Sequence, residues 1–219
     1  MSRRWWAVLT VAVCLAGCGE AREDVKQPEV AVSVSLPADP KAALAVGLGK
    51  LGTQSARVGY RFNSEGYEVR YTAVVDAAGT TWEATGDRWV LRRIGNDVWV
   101  KVTKADDLGL VPADQLDKWL KMPLNYLDTT SFKTGFPWSG LRNAAEVATG
   151  ITRTGDRTYE GKLPDDDLTV SLDAAGRFTR VMYGDFMEMT YSDFGTPVAV
   201  EPPAATEEAV FQPAAAGIM

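Results

Sequence analysis

The sequence predicts an α+β fold: a single, strongly curved antiparallel β-sheet of about ten strands, a half-barrel, with helices on its concave face. Three observations carry this. Apolar and polar residues alternate with period two along many short stretches, as strands with one buried face do. The links between those stretches are hairpin-length and contain glycine, which makes consecutive strands antiparallel. Two stretches of helical period interrupt the pattern, one before the first strand and one in the middle. Curvature follows because a large twisted sheet coils rather than staying flat.

The elements follow in order. Ser2-Arg3-Arg4, the apolar run Trp5 to Leu15 and the closing Leu15-Ala16-Gly17-Cys18 form a secretory signal, residues 1–17. The apolar run is shorter than the about 20 residues that span a bilayer, and no other run approaches that length. Residues 18–38 read as a tether, with Val30, Val32, Val34 and Leu36 either an edge strand or the tether's end. Asp39-Pro40 offers an N-cap and a first helical residue, Leu44, Leu48 and Leu51 follow at helical spacing, and Gly52 ends the helix. Five strands come next, from Ser55 to Thr103, with turns at Asn63-Ser64-Glu65-Gly66 and Asp76-Ala77-Ala78-Gly79 and links at Gly86-Asp87 and Gly95-Asn96. Lys104 to Pro137 shows little alternation, and Phe136 to Val147 reads as a helix. Five more strands run from Ile151 to Tyr191, and Asp173-Ala174-Ala175-Gly176 repeats the earlier turn. The domain is expected over 39–200, with residues 201–219 a disordered Pro/Ala tail.

Composition narrows the function. The chain of 219 residues carries a formal charge of −6 and loses two arginines with the signal, which disfavours nucleic acid, since phosphate contacts need clustered Lys and Arg. There is no histidine, so the commonest general base and transition-metal ligand are missing. Only Cys14 and Cys18 are cysteines, and the mature domain has no disulfide to form. Asp165-Asp166-Asp167 lacks the spacing of a calcium loop and reads as a solvated turn. No serine stands in a G-x-S-x-G context, and no P-loop or GxGxxG opens a helix. The expectation is a monomeric, non-enzymatic protein without cofactor or metal.

Leu15-Ala16-Gly17-Cys18 resembles the lipobox of bacterial lipoproteins. That resemblance implies diacylglyceryl on the Cys18 thiol and cleavage before it, leaving the protein lipid-anchored on the extracytoplasmic side of the cell membrane. Two acyl chains, at about 0.8 kcal/mol per buried CH₂, hold where one does not. The layout also resembles the LppX and LprAFG lipoproteins of mycobacteria and, more loosely, the periplasmic carrier LolA. The likeness is carried by Ala42 through Phe62, by Gly95-Asn96-Asp97-Val98-Trp99-Val100-Lys101 with Asp117-Lys118-Trp119-Leu120, and by Leu172 through Val198. It implies a half-barrel enclosing an apolar cavity for lipid or glycolipid acyl chains, in lipid transport. Val69, Tyr71, Trp99, Met182, Met187 and Met189 are the residues expected to line it, Met and aromatics being adaptable walls for flexible chains. The same side chains suit a filled core equally, and the protein would then be an interaction or sensor module without a ligand.

Replacing Cys18 by Ser removes the acylated thiol. The variant is expected to lose membrane retention and keep its leader, read by cell fractionation and intact-mass measurement; full retention would refute the anchor.

Overall fold

Period-two patterning places most of this chain in one sheet. The computed structural model describes residues 33–104, 113–123 and 138–209, all within one compact unit, residues 31–219. The expected signal, Cys18 and most of the tether lie outside the described residues. Val34 is not in a strand; its N–H donates to the Ala174 carbonyl at 2.8 Å.

Helix α1, Pro40–Lys50, starts as the sequence predicts: the Asp39 carboxylate accepts from the Ala42 N–H at 2.7 Å, and proline occupies the first turn. Strands β1 Ala56–Ser64, β2 Tyr67–Val75, β3 Thr81–Gly86, β4 Trp89–Ile94 and β5 Asp97–Val102 follow as hairpins. The first turn is tighter than expected, because Glu65 and Gly66 both adopt positive φ, at 51° and 84°, and a two-residue link suffices. The two Asp-Ala-Ala-Gly turns are alike: Asp76 and Asp173 carbonyls accept from the Gly79 and Gly176 N–H groups at 3.1 and 3.0 Å.

Strand β6, Trp119–Met122, lies where the sequence shows no alternation. Trp119 and Leu120 are both buried, so its pattern is apolar on both faces. Helix α2, Trp138–Val147, buries Trp138, Leu141, Ala144 and Ala145. Strands β7 Thr149–Arg153, β8 Thr158–Lys162, β9 Asp167–Leu172, β10 Phe178–Tyr183 and β11 Met187–Ser192 complete the second series. The start of the expected tail belongs to the fold: Ala205–Glu207 makes a 3₁₀ turn, and Glu208–Ala209 is β12, which pairs in parallel with Trp119 and Leu120.

Among the described residues the strands form one open sheet of 12, ordered β12-β6-β5-β4-β3-β2-β1-β11-β10-β9-β8-β7, antiparallel apart from β12. Its centre is the β1–β11 pair, with Val58 opposite Tyr191 and Tyr60 opposite Met189. The register fixes two faces. The inner face carries Val58, Ala73, Ala84, Leu91 and Val100, all buried. The outer face carries cross-strand ion pairs such as Arg180–Glu188 at 2.6 Å and Lys121–Asp97 at 2.9 Å.

Both described helices pack on the inner face. Trp138 of α2 stacks on Tyr191 with ring centroids 5.9 Å apart. The Arg142 guanidinium donates to the Leu51 carbonyl at 2.8 Å, tying α2 to the end of α1. Helix α1 comes so close to β10 that a Cβ on Gly47 would lie 2.8 Å from the Phe178 ring.

Two glycines of α1 therefore respond oppositely to alanine. Gly47→Ala forces the Phe178 ring aside in a packed core and is expected to destabilise by about 1–3 kcal/mol, outweighing the gain in helix propensity. Gly49 has nothing within 4 Å of the added carbon, so Gly49→Ala is expected to stabilise by about 0.5–1 kcal/mol. Urea unfolding midpoints of the two variants check this.

Candidate functional site

Successive rows of inner-face residues run across the strands, and they differ in burial. The row through Val58 and Tyr191 is closed. The next row contains Tyr71, Tyr60, Met189 and Val181, direct neighbours across β2, β1, β11 and β10. The row beyond it contains Val69, Phe62, Met187 and Tyr183 in the same strand order. Here burial falls off: Tyr71 and Met189 are buried, while Tyr60, Phe62, Val69 and Met187 are half-buried.

Aromatic contacts organise this region. Tyr60 and Tyr71 stack with centroids 4.5 Å apart and planes 13° from parallel. Tyr71 meets Trp89 at 5.7 Å, and Phe62 meets Phe186 edge-on at 5.9 Å. Gly86 makes room for the tilted indole: a Cβ there would lie 2.7 Å from Trp89. The Tyr191 hydroxyl reaches the Met189 sulfur at 3.5 Å.

Four tyrosines share this wall, and burial pushes each phenol upward. Tyr60 rises through desolvation alone. Tyr71 rises through desolvation and then through Tyr60 and Tyr191. Tyr191 rises through desolvation and then through Tyr183. Tyr183 is pushed up to about 12 by desolvation and then by Tyr60. The surface is thus apolar, adaptable and neutral at ordinary pH, with phenol hydroxyls set among aliphatic and thioether groups.

Four of the six residues expected to line a cavity, Val69, Tyr71, Met187 and Met189, meet in these two rows. Trp99 and Met182 do not. Trp99 pairs with Arg92 and Lys121 on the outer face, because the flanking Val98 and Val100 take the inner side. Met182 pairs with Glu188 and Thr169, also outside. The cause is a bulge between Phe178 and Arg180. It puts Phe178, Val181 and Tyr183 on one face and breaks the simple alternation that would join Phe178 to Met182. Tyr60, Phe62, Trp89 and Phe186 were not anticipated; the alternation Val58-Tyr60-Phe62 in β1 already placed two of them.

The gap between α1, α2 and the sheet, lined by Gly47, Trp138, Phe178 and Tyr191 among others, has a volume of about 10 Å³. Larger hollows lined by described residues lie over the outer face. One of about 610 Å³ is lined by groups such as Thr152, Glu160, Lys162 and Asp167. Another of about 470 Å³ is lined by Arg61, Arg70, Thr72, Thr85 and Glu188 and also by Tyr60 and Tyr71. Among the described residues no group of acidic, cysteine or histidine side chains is placed to hold a metal ion, and no described helix is long and apolar enough to cross a membrane.

No protein-family model matches the sequence, and no curated protein matches it. Solved structures with some likeness include an uncharacterized conserved protein from Thermus thermophilus, 11% identical, covering 77% of this chain and 97% of that one, with a TM-score of 0.40. MucB in complex with MucA(peri) is 13% identical over 78% of this chain and 60% of that one, with a TM-score of 0.33. The MucA/MucB complex of Pseudomonas aeruginosa is 13% identical over 78% and 61%, with a TM-score of 0.32. The chain thus spans about 60% of the length of the matched chains in those two complexes. Likenesses this distant assign the chain to no family.

Because the fold raises the Tyr183 phenol from 10.0 to about 12, it favours the protonated form. The associated stability is complete below pH 10 and is lost as pH rises toward 12. Ultraviolet titration is expected to show a class of phenols ionising well above the rest in native protein. That class should merge with the others in urea.

Proposed function

We propose that this protein is a lipoprotein anchored through diacylglycerol on Cys18, at the extracytoplasmic side of the cell membrane. In this reading it shelters acyl chains of a lipid or glycolipid against the inner face of its sheet, as a step in lipid transport. The observation that carries the reading is the half-buried rim of Tyr60, Phe62, Val69 and Met187 on a face that is closed one row away. Apolar surface contributes about 25 cal/mol per Å² when removed from water, so an acyl chain lying along this rim gains on every methylene. Methionine and stacked aromatics adapt to chains of differing length and unsaturation. The sheet's curvature, with α1 and α2 on the concave side, and the resemblance to the LppX and LprAFG lipoproteins belong to this same proposal.

A second reading has its own support. Where α1 and α2 meet the sheet at Phe178 and Tyr191, a gap of only about 10 Å³ is left, as a filled core would have there. In that case the rim is a docking surface for an apolar protein segment, and the molecule is an envelope interaction or sensor module without a lipid.

The two readings separate in one experiment. Protein lacking residues 1–18 is purified from bacterial cells and extracted with organic solvent, and the extract is analysed by mass spectrometry. Co-purifying lipid is expected, at reduced occupancy in Met187→Glu, which puts a carboxylate on the rim. Protein free of lipid that also fails to take up added fatty acyl lipid would sink the lipid reading.

A further inference from the structure

The outer face changes character at one edge. Elsewhere it carries threonines and cross-strand ion pairs, but on β5 and β6 it presents, beside the Lys121–Asp97 pair, two indoles, Trp99 and Trp119, both at most 5% exposed. Cations lie over them. The Arg92 guanidinium is 4.4 Å from the Trp119 ring centroid, and the Lys101 and Lys121 ammoniums stand 5.6 Å from Trp119 and 5.2 Å from Trp99.

The chain's own segment 201–209 lies on this platform. Glu208 and Ala209 add a parallel strand beside Trp119 and Leu120. The Trp99 indole N–H donates to the Glu208 carboxylate at 2.9 Å, and the Arg92 guanidinium donates to the Glu201 carbonyl at 2.6 Å. The segment contains Glu201, Glu207 and Glu208 and no basic residue; beneath it Arg92 is paired with Glu83 and Lys121 with Asp97, while Lys101 forms no ion pair among the described residues, so the acidic segment complements that cation. Its hold is limited: the ladder is two residues long, residues 204–208 are exposed, only Pro203 is buried, with Ala209 half-buried, and residues 196–200 before it form no helix or strand. Segments with so few buried contacts open at low free energy. Opening bares a strand edge flanked by two indoles, a surface that pairs readily with another chain.

We propose that the β6 edge with Trp99 and Trp119 is a docking site for an extended, acidic segment of a partner protein, and that residues 201–209 occupy the site in cis. The partner segment adds as a strand to β6, which supplies main-chain affinity. Its carboxylates bind the Trp99 N–H and the Lys101 ammonium, and a main-chain carbonyl accepts from Arg92, which supplies selectivity. This edge is separate from the inner-face rim, and the proposal stands whichever ligand that rim takes.

The test uses the full chain carrying Glu208→Arg, which sets a cation against Lys121 and Arg92 and leaves the platform intact. Amide exchange is expected to quicken across 204–209 while β4–β6 stay protected. A labelled peptide of residues 199–209, the probe, is expected to bind this variant at least about tenfold more tightly than the wild-type chain, whose site is filled. The same peptide with its glutamates changed to lysine is expected not to bind. Adding Trp99→Phe, which keeps the packing and removes the N–H, is expected to weaken the probe. Unchanged exchange in Glu208→Arg, no saturable binding of the probe, or equal binding of the lysine peptide would each overturn the proposal. So would a dimer formed through 201–209, which would give the edge to a second copy of the chain.

Discussion

The architecture depends on the pairing of β1 with β11. These strands are far apart in sequence, and six register pairs, from Arg57–Ser192 to Phe62–Met187, join two series of strands into one sheet. Without that ladder each series would be a separate meander with an apolar face too narrow to bury. With it, Tyr60 meets Met189 and Phe62 meets Met187, so the candidate site is assembled at the seam itself. A one-residue slip would carry all of these side chains to the charged face.

The energetics divide between the faces in the same way. The inner face holds the fold through burial of valine, alanine, leucine and aromatic side chains. Ion pairs on the outer face, such as Arg57–Asp193 with both side chains more than half exposed, add little to stability because water screens them. They keep that face soluble and discourage stacking. One inner-face position departs from the rule: Arg93 is buried, donates to the Gly95 carbonyl at 2.8 Å, and has its pKa lowered by desolvation.

Open sheets must protect their edges, and this one does so differently at each end. Strand β7 is short, mostly exposed and broken by an irregularity between Thr149 and Thr152, which spoils it as a template. The other end is covered by two residues of the chain's own C-terminal segment, laid over aromatic and cationic side chains. The contrast follows from burial. β7 presents mostly polar groups to water, whereas β6 buries Trp119, Leu120 and Met122 and has an edge worth covering.

The local rules were legible from the residues alone. Asp39-Pro40 set the start of α1, the two Asp-Ala-Ala-Gly turns and the glycine links set the hairpins, and alternation located ten of the 12 strands. Strand β6 escaped because Trp119 and Leu120 are buried on opposite faces and only Lys121 is exposed, which leaves too little alternation to read, and β12 because two residues carry no pattern. Half of the site was also legible, since Val69, Tyr71, Met187 and Met189 lie on strands whose alternation is unbroken. The misplacement of Met182 came from the bulge after Phe178, which only the pairing with β9 reveals. Trp99 was misplaced because alternation says which residues share a face and never which face is dry. That choice belongs to the tertiary structure, where α1 packs closely on Phe178 because Gly47 of the helix carries no side chain. Sequence therefore determined the elements and their turns, through short-range sterics and hydrogen bonding. The seam, the dry face and the covered edge were decided by contacts between residues distant in the chain, which no local pattern encodes.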